Sequence, residues 1–349
     1  MSGGGAIELA RIVSLLEFEP LARRAIEPEV YAYVAGGSWD ELTLGENEAA
    51  WRRRTLRPRV LVEAAPSGTA TTMLGAATAM PAAIAPIAAQ GMLHPDGEVA
   101  TARAAAAAGI PFILSTFSTR SIEEVAAAAP EATRWFQLYA QADPRQTRAL
   151  VERAEAAGYR AIVLTVDLPI LGYRERERRD GFVLADPLQA GGEPVDDLVT
   201  SSLSWSDLAA IRSWAPSLPL VLKGILTAED ARLALEHGVD TIVVSNHGGR
   251  QLDRVTATVD ALEEVADAVG GRVEIWVDGG VRRGLDVAIA LALGARGVLL
   301  GRPALWALAV AGQAGVERAL AILREELEIA LALLGAPSPS GVTRSHVGR

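Results

Sequence analysis

The chain has 349 residues, with 33 basic and 43 acidic side chains and a net charge of −10. Half of its residues are apolar and 22% are charged, a globular composition rather than a disordered one, and the length suits one large domain or two ordinary ones. The acidic balance argues against a nucleic-acid partner, whose phosphates call for a basic face. The absence of cysteine removes disulfides, thiolate metal sites and a cysteine nucleophile together.

The N-terminus, MSGGGAIELA, has neither the basic start nor the apolar core of an export signal. The richest apolar stretch, Leu74 to Leu93, is mostly Ala and Gly and carries Pro81, Pro86 and Gln90, so it reads as loop plus buried strand, not as a membrane span. No membrane partner is expected, and the expected compartment is the cytoplasm. Residues 1–80 read as a helical segment, with helices over Ala6–Leu16, Leu21–Arg24 and Pro28–Val34. That segment is too short to need its own core and is expected to cap the rest as part of one domain.

From 81 to 349 short apolar runs alternate with helical patterns. The runs are Pro81–Ala89, Pro111–Ser115, Arg134–Tyr139, Ala161–Asp167, Pro219–Gly224, Thr241–His247, Glu274–Gly280 and Gly297–Gly301. The helices between them include Glu98–Ala108, Ser121–Ala128, Pro144–Ala157, Ser206–Ser213, Ala228–His237, Val259–Ala268 and Leu285–Leu293, with a helical pair after the last run to about Leu334. Continuous apolar runs alternating with helices mean parallel strands covered on both faces. Eight such units predict an α/β fold, a closed (β/α)8 TIM barrel. An open doubly wound sheet is the competitor, but no GxGxxG follows the first strand. One connection, 168–205, is long. It contains the charged run Arg174–Asp180 and the Gly/Pro/Asp-rich stretch Ala190–Ser202, and loops of such length are commonly lids or binding elements, or are disordered.

In barrels of this kind chemistry sits at the C-terminal ends of the strands. Those ends carry Ala88, Ser115, Gln137 with Tyr139, Thr165 with Asp167, Lys223, Ser245 with Asn246 and His247, Asp278 with Gly279 and Gly280, and Gly301 with Arg302. Polar groups converging on buried strand ends are costly as packing and are read as a site. Asp278-Gly-Gly-Val-Arg282 after strand seven and Gly301-Arg302-Pro303 after strand eight predict a phosphate position, where glycines let backbone N–H groups approach an anion and arginine adds a bidentate charge. Of four histidines, His237 suits a helix end, His346 lies in the tail, and His94 admits either a structural or a functional reading. His247 points into the site with Arg250 one short turn away, an arrangement in which a neutral imidazole accepts a proton while Arg250 holds an anion. The 33 basic residues are 32 arginines and one lysine, Lys223. Either one lysine survived by chance or that position needs a compact primary amine.

The strings SNHGGRQLD, LTVDLPILGYRERERRDGF, WFQLYAQAD, VLKGILTAEDA, DGGVRRG and LLGRPALWALA resemble the FMN-dependent 2-hydroxy acid oxidase and dehydrogenase family, which includes glycolate, lactate and mandelate oxidases. VYAYVAGGSWDELTLGENEAAWRRRTLRPRVL matches as well, so the resemblance runs from about residue 20 to 348. It implies FMN, with its phosphate held by Gly280, Arg282, Gly301 and Arg302 and its ribityl chain by Asp278. It implies ring contacts from Pro86, Ala88, Ser115, Gln137, Thr165, Lys223 and Ser245, with the Lys223 ammonium balancing charge on the reduced ring. By the same resemblance His247 is the base, Asp167 stabilises its imidazolium, and Tyr139 bonds the substrate oxygen. Arg250 and Arg174 take the carboxylate, with Tyr33 assisting, and Phe117 lines the substrate pocket. Arg174 lies in a charge run with Arg176, Arg178 and Arg179, where a solvated loop face is an equally good reading for the other three.

The implied activity is oxidation of an (S)-2-hydroxy acid to the 2-keto acid, with oxygen as acceptor, giving hydrogen peroxide, in a homotetramer. Phe117 departs from the larger or different aromatic of many relatives, and the 168–205 loop is shorter and lacks the membrane insert of some quinone-linked ones. Ala88 in place of glycine beside the flavin leans, like the missing insert, toward the oxidase. Two alternatives stand: a soluble dehydrogenase using a quinone or protein acceptor, and a Schiff-base aldolase or lyase with Lys223 as nucleophile, which leaves His247 and Arg250 without a purpose.

Overall fold

The computed structural model describes residues 8–62, 68–182, 199–200 and 202–348. Eight parallel strands close into a barrel: β1 (Ala82–Ile84), β2 (Phe112–Leu114), β3 (Arg134–Leu138), β4 (Ile162–Thr165), β5 (Leu220–Ile225), β6 (Thr241–Val244), β7 (Glu274–Val277) and β8 (Gly297–Leu300), with β8 pairing β1. Seven lie within the apolar runs expected for them, and β5 passes its run, Pro219–Gly224, by one residue at Ile225. Those seven runs overshoot their strands at the C-terminal ends, because there the chain leaves the ladder to present polar groups: β6 stops at Val244, short of His247.

The barrel interior is filled by Ala83, Ile113, Val163, Val221, Val243 and Leu299 around a stacked pair, Trp135 and Trp276, whose rings are 4.7 Å apart and 7° from parallel. Such a pair contributes about 0.5–1.5 kcal/mol beyond its buried area. A hairpin, Thr71–Met73 with Ala76–Thr78, plugs the N-terminal mouth. Met73 joins the interior cluster, and Leu74 N donates to Glu274 Oε2 at the start of β7.

Among the described residues the α-helices are α1 (Phe18–Ala25), α2 (Pro28–Ala35), α3 (Leu42–Arg53), α4 (Gly97–Ala107), α5 (Ile122–Ala128), α6 (Pro144–Ala156), α7 (Glu175–Asp180), α8 (Asp207–Trp214), α9 (Ala228–Glu236), α10 (Thr258–Val269), α11 (Gly284–Ala292) and α12 (Arg302–Leu334). The expected barrel helices are found within one residue at each end. The expected terminal pair is α12, broken at Ala311–Gly312, where Gly312 takes φ +56 and a side chain would strike the His94 ring.

Two expectations for the N-terminal segment need correction. The helix expected over Ala6–Leu16 is, among the described residues, two 3-10 turns, Leu9–Arg11 and Leu15–Glu17. Between them the Ile12 carbonyl turns away to accept two N–H groups of Arg318, at 2.7 and 3.0 Å, so it cannot continue an intrahelical ladder. Conversely, α3 was not anticipated, and it docks on the mouth of the barrel. Thr43, Asn47 and Trp51, four residues apart on one face, meet the loops after β6 and β7: Val255 N donates to Thr43 Oγ1, Asn47 pairs with Asn246, and Trp51 Nε1 donates to the Gly279 carbonyl. Asp253 caps α3 by accepting from the backbone N–H groups of Leu42 and Thr43. Of the long connection expected over 168–205, residues 183–198 and 201 lie outside the described residues. No helix among the described residues is long and apolar enough to cross a membrane.

Candidate active site

Neighbouring strands deliver a chain of buried polar groups to the C-terminal mouth. Ser115 Oγ, just past β2, donates to Gln137 Oε1 on β3 at 3.2 Å, and Gln137 Nε2 donates to Thr165 Oγ1 on β4 at 3.0 Å. Lys223 lies beside Thr165 in the ladder. Its Nζ donates to Ser245 Oγ at 2.9 Å and pairs with Asp278 Oδ2 at 3.2 Å. Burial alone would lower the lysine's pKa, but Asp278 and Asp167 outweigh it and hold the amine above the ordinary lysine value. An amine paired with a carboxylate and held protonated is a poor nucleophile for a Schiff base.

His247 follows β6 in the left-handed region, φ +59, where a bulky side chain is unusual. Its Nδ1 meets Asp167 Oδ1 at 2.9 Å and its Nε2 meets the Tyr139 hydroxyl at 3.3 Å. Beside an ionised Asp167, Nδ1 carries the hydrogen and Nε2 presents its lone pair to the pocket. Burial pulls the imidazole below its ordinary pKa, and the opposing pull of Asp167 does not restore it. Asp167 would be raised by burial, yet His247 and Lys223 bring it below the usual carboxylate range. Burial and Asp167 push the Tyr139 phenol up, so it remains a hydrogen-bond donor. Room for Asp167 comes from Gly224 at the β5 bulge, φ +119, where a Cβ would lie 2.7 Å from Asp167 Cβ.

Arg250 and Arg174 come together across the same mouth. Arg250 Nη1 donates to the carbonyls of Tyr33 and Gly36, Nη2 donates to Glu177 Oε1 at 3.0 Å, and the guanidinium sits 4.8 Å from the Tyr33 ring centroid. Arg174 Nε donates to the Arg250 carbonyl at 3.2 Å, and Nη1 faces Glu177 Oε2 at 3.5 Å. Arg174 is buried, 8% exposed, while Arg179 of the same run keeps 72% of its side chain in solvent. Arg176 pairs with Glu41, and Arg178 lies over the Tyr173 ring. Tyr33 stacks on Phe182 at 4.8 Å. Phe117 stacks on Tyr139 at 5.1 Å and forms, with Leu168, Leu171, Val199 and Ala88, an apolar wall. Pro86 stands in the same loop as Ala88 and is partly buried.

The groups expected around a phosphate have more than one duty. Gly301 has open space where a side chain would stand, whereas a Cβ on Gly280 would sit 2.1 Å from the Asn47 carbonyl, so packing of α3 already requires glycine there. Arg282 Nη2 donates to Glu48 Oε1 of α3 at 2.9 Å. Arg302 is tied by Nε to the Val34 carbonyl, by Nη1 to that of Gly248 and by Nη2 to that of Gly36, leaving two of its five N–H groups outside these bonds. Its burial, with Arg250 and Arg282 close by, brings its pKa down to about 9.

These residues fit FMN. Asp278 Oδ1 is buried without a hydrogen-bond partner, as an acceptor awaiting a ribityl hydroxyl would be. The open side of Gly301, with Arg282 and Arg302 nearby, suits a phosphate, and Ser115, Gln137, Thr165 and Lys223 offer polar edges to a flat ring. Four residues of the site escaped the sequence reading: Glu177, Asn47, Gly224 and Gln251, whose Nε2 donates to the carbonyls of Asp167 and Ile170 and whose Oε1 accepts from Gly172 N. Only Glu177 left a signal, three residues after Arg174 and so on the same helical face.

The family described as FMN-dependent dehydrogenase matches residues 22–349. An L-lactate oxidase of Nostoc sp. is 48% identical, covering 96% of this chain and 98% of its own, and glycolate oxidase 5 of Oryza sativa subsp. japonica is 46% identical, covering 97% and 96%. Among solved structures, mandelate oxidase with benzoyl-formic acid superposes with a TM-score of 0.90 at 44% identity, covering 97% of this chain and 98% of that one.

Proposed function

This chain belongs to the FMN-dependent dehydrogenase family, and from that premise we propose that it oxidises an (S)-2-hydroxy acid to the 2-keto acid with oxygen as the acceptor. The carrying observation is the juxtaposition of the Asp167–His247–Tyr139 chain with the Arg174–Arg250 pair. The bound FMN supplies the two-electron acceptor that oxygen regenerates, so hydroxy acid plus oxygen gives keto acid plus hydrogen peroxide.

The chain's own groups do the rest. Arg250 and Arg174 hold the substrate carboxylate, with Tyr33 beside them, and fix which face of carbon 2 is presented. His247 Nε2 takes the proton. Asp167, on Nδ1, stabilises the imidazolium that results. Tyr139 donates to the substrate oxygen, and the apolar wall at Phe117 excludes water from that side. Asp278 would accept from the ribityl chain, and Gly280, Arg282, Gly301 and Arg302 would hold the phosphate. The backbone at Pro86 and Ala88 and the side chains of Ser115, Gln137, Thr165 and Ser245 would seat the ring, and the Lys223 ammonium would supply the positive charge that balances its reduced form. The cytoplasm as compartment, read from the sequence pattern, and a homotetramer as assembly, read from the family resemblance, belong to the same proposal.

Purified holoenzyme in air should release peroxide and keto acid in equal amounts from one member of a small panel of 2-hydroxy acids. Dye reduction by the same acid without peroxide would replace oxygen by another acceptor, and no bleaching of the flavin by any panel member would sink the reading. The pH profile has a definite sign. The base works only while His247 is neutral, and burial lowers its pKa against the pull of Asp167, with Lys223 and Arg174 adding to the lowering. Anaerobic flavin reduction should therefore be flat at neutral pH and fall on acidification, with a midpoint below the ordinary imidazole value of about 6.5. A midpoint above that value contradicts the assignment.

A further inference from the structure

The backbone of His247 needs an external restraint. The residue is not glycine, yet it holds φ +59, and Gly248 and Gly249 continue in the left-handed region at φ +65 and +76. Such conformations persist where the surroundings over-determine them. Part of the restraint is local: His247 N donates to Ser245 Oγ at 3.1 Å, and Gly249 N donates to the carbonyl and to the side-chain Oδ1 of Asn246. The rest comes from outside the barrel. Asn246 and Asn47 of α3 form a closed pair in which each Nδ2 donates to the other's Oδ1 at 2.8 Å. Both are almost fully buried, at 4% and 2% exposure. Asn47 is itself pinned, its Oδ1 accepting from Thr258 N while Asp253 caps the helix that carries it.

A reciprocal pair of this kind accepts only an amide opposite an amide. A carboxylate would set oxygen against oxygen, and an apolar side chain would take one donor and one acceptor from the buried Asn246 amide, leaving it the Gly249 N–H and the Thr256 carbonyl. The pair lies one residue from the proton-accepting imidazole. We infer that Asn47 is a positioning residue for His247: through Asn246 it holds the left-handed turn that keeps Nδ1 on Asp167 and Nε2 facing the pocket. The inference rests on the reading of His247 as the base. It gives α3 a part in the reaction although none of its side chains belongs to the proton-transfer chain.

Two variants test it, Asn47→Leu and Asn47→Ser, the second removing the amide pair with a small polar side chain in case the first does not fold. Each is compared with His247→Ala as FMN-loaded protein. Two quantities are measured: the anaerobic rate of flavin reduction at saturating substrate, and the affinity for the 2-keto acid product from spectral titration. Misplacing a base by a fraction of an ångström to an ångström slows its step strongly, so reduction should slow roughly ten- to hundred-fold. Affinity should stay within about two-fold, because Arg174 and Arg250 do not contact Asn47. A merely structural role would lower thermal stability and leave the reduction rate of the bound flavin unchanged. Unchanged reduction in both variants, or rate and affinity falling together in both, overturns the inference. If His247→Ala itself reduces normally, the reading of the base fails instead, and the two failures are told apart.

Discussion

His247→Ala should retain yellow, flavin-loaded protein that its substrate no longer bleaches. The imidazole's side-chain contacts are Asp167 and Tyr139, and none runs to the groups assigned to the phosphate or ribityl chain. Cofactor binding is therefore preserved. A positioned general base contributes about 10²–10⁴ in rate, and here its loss is compounded, because Asp167 then has no imidazolium to stabilise and Tyr139 no partner at 3.3 Å. The expected result is a fall in the anaerobic reduction rate of roughly 10²–10⁴, with the flavin spectrum and keto-acid affinity close to those of the parent. Stopped-flow reduction under saturating substrate is the measurement. A rate within a few-fold of the parent would take His247 out of the mechanism.

Arg250→Met should act on binding. A charge-assisted hydrogen bond is worth about 1.5–3 kcal/mol, so KM and the keto-acid dissociation constant should rise by roughly ten- to hundred-fold. The same substitution strips donors from the Tyr33 and Gly36 carbonyls and leaves Glu177 to Arg174 alone, so a loss of thermal stability should accompany it. Arg250→Lys separates the two effects. It keeps the charge but not the planar fork that reaches two carbonyls and a carboxylate at once, and should recover part of the affinity. Parental affinity in Arg250→Met would place the carboxylate elsewhere.

The parts of this molecule that were legible in the sequence are those whose burial writes itself into composition. Parallel strands covered on both faces are continuous apolar runs, and all eight could be read. The polar residues at their ends stood out because nothing in a packed strand end explains a lysine, two aspartates and a histidine. Helix α3 escaped for the opposite reason. Its inward face is Thr43, Asn47 and Trp51 docking on loops by hydrogen bonds, so ELTLGENEAAWRRR shows no apolar stripe to betray it. Ala6–Leu16 failed the other way: its periodicity is helical, but Arg318, three hundred residues on, takes the Ile12 carbonyl, and no local pattern reports so distant a donor. Glu177 was in view but read with its run of charges. Only the fold turns that face inward, onto two arginines.

The solitary lysine has a consequence beyond catalysis. Lys223 is 4% exposed and locked between Ser245 and Asp278, and every other basic side chain is arginine. Apart from the α-amino group, the native surface therefore offers an acylating reagent no nucleophile of its preferred kind, and incorporation of label at Lys223 reports how often the mouth of the barrel breathes open.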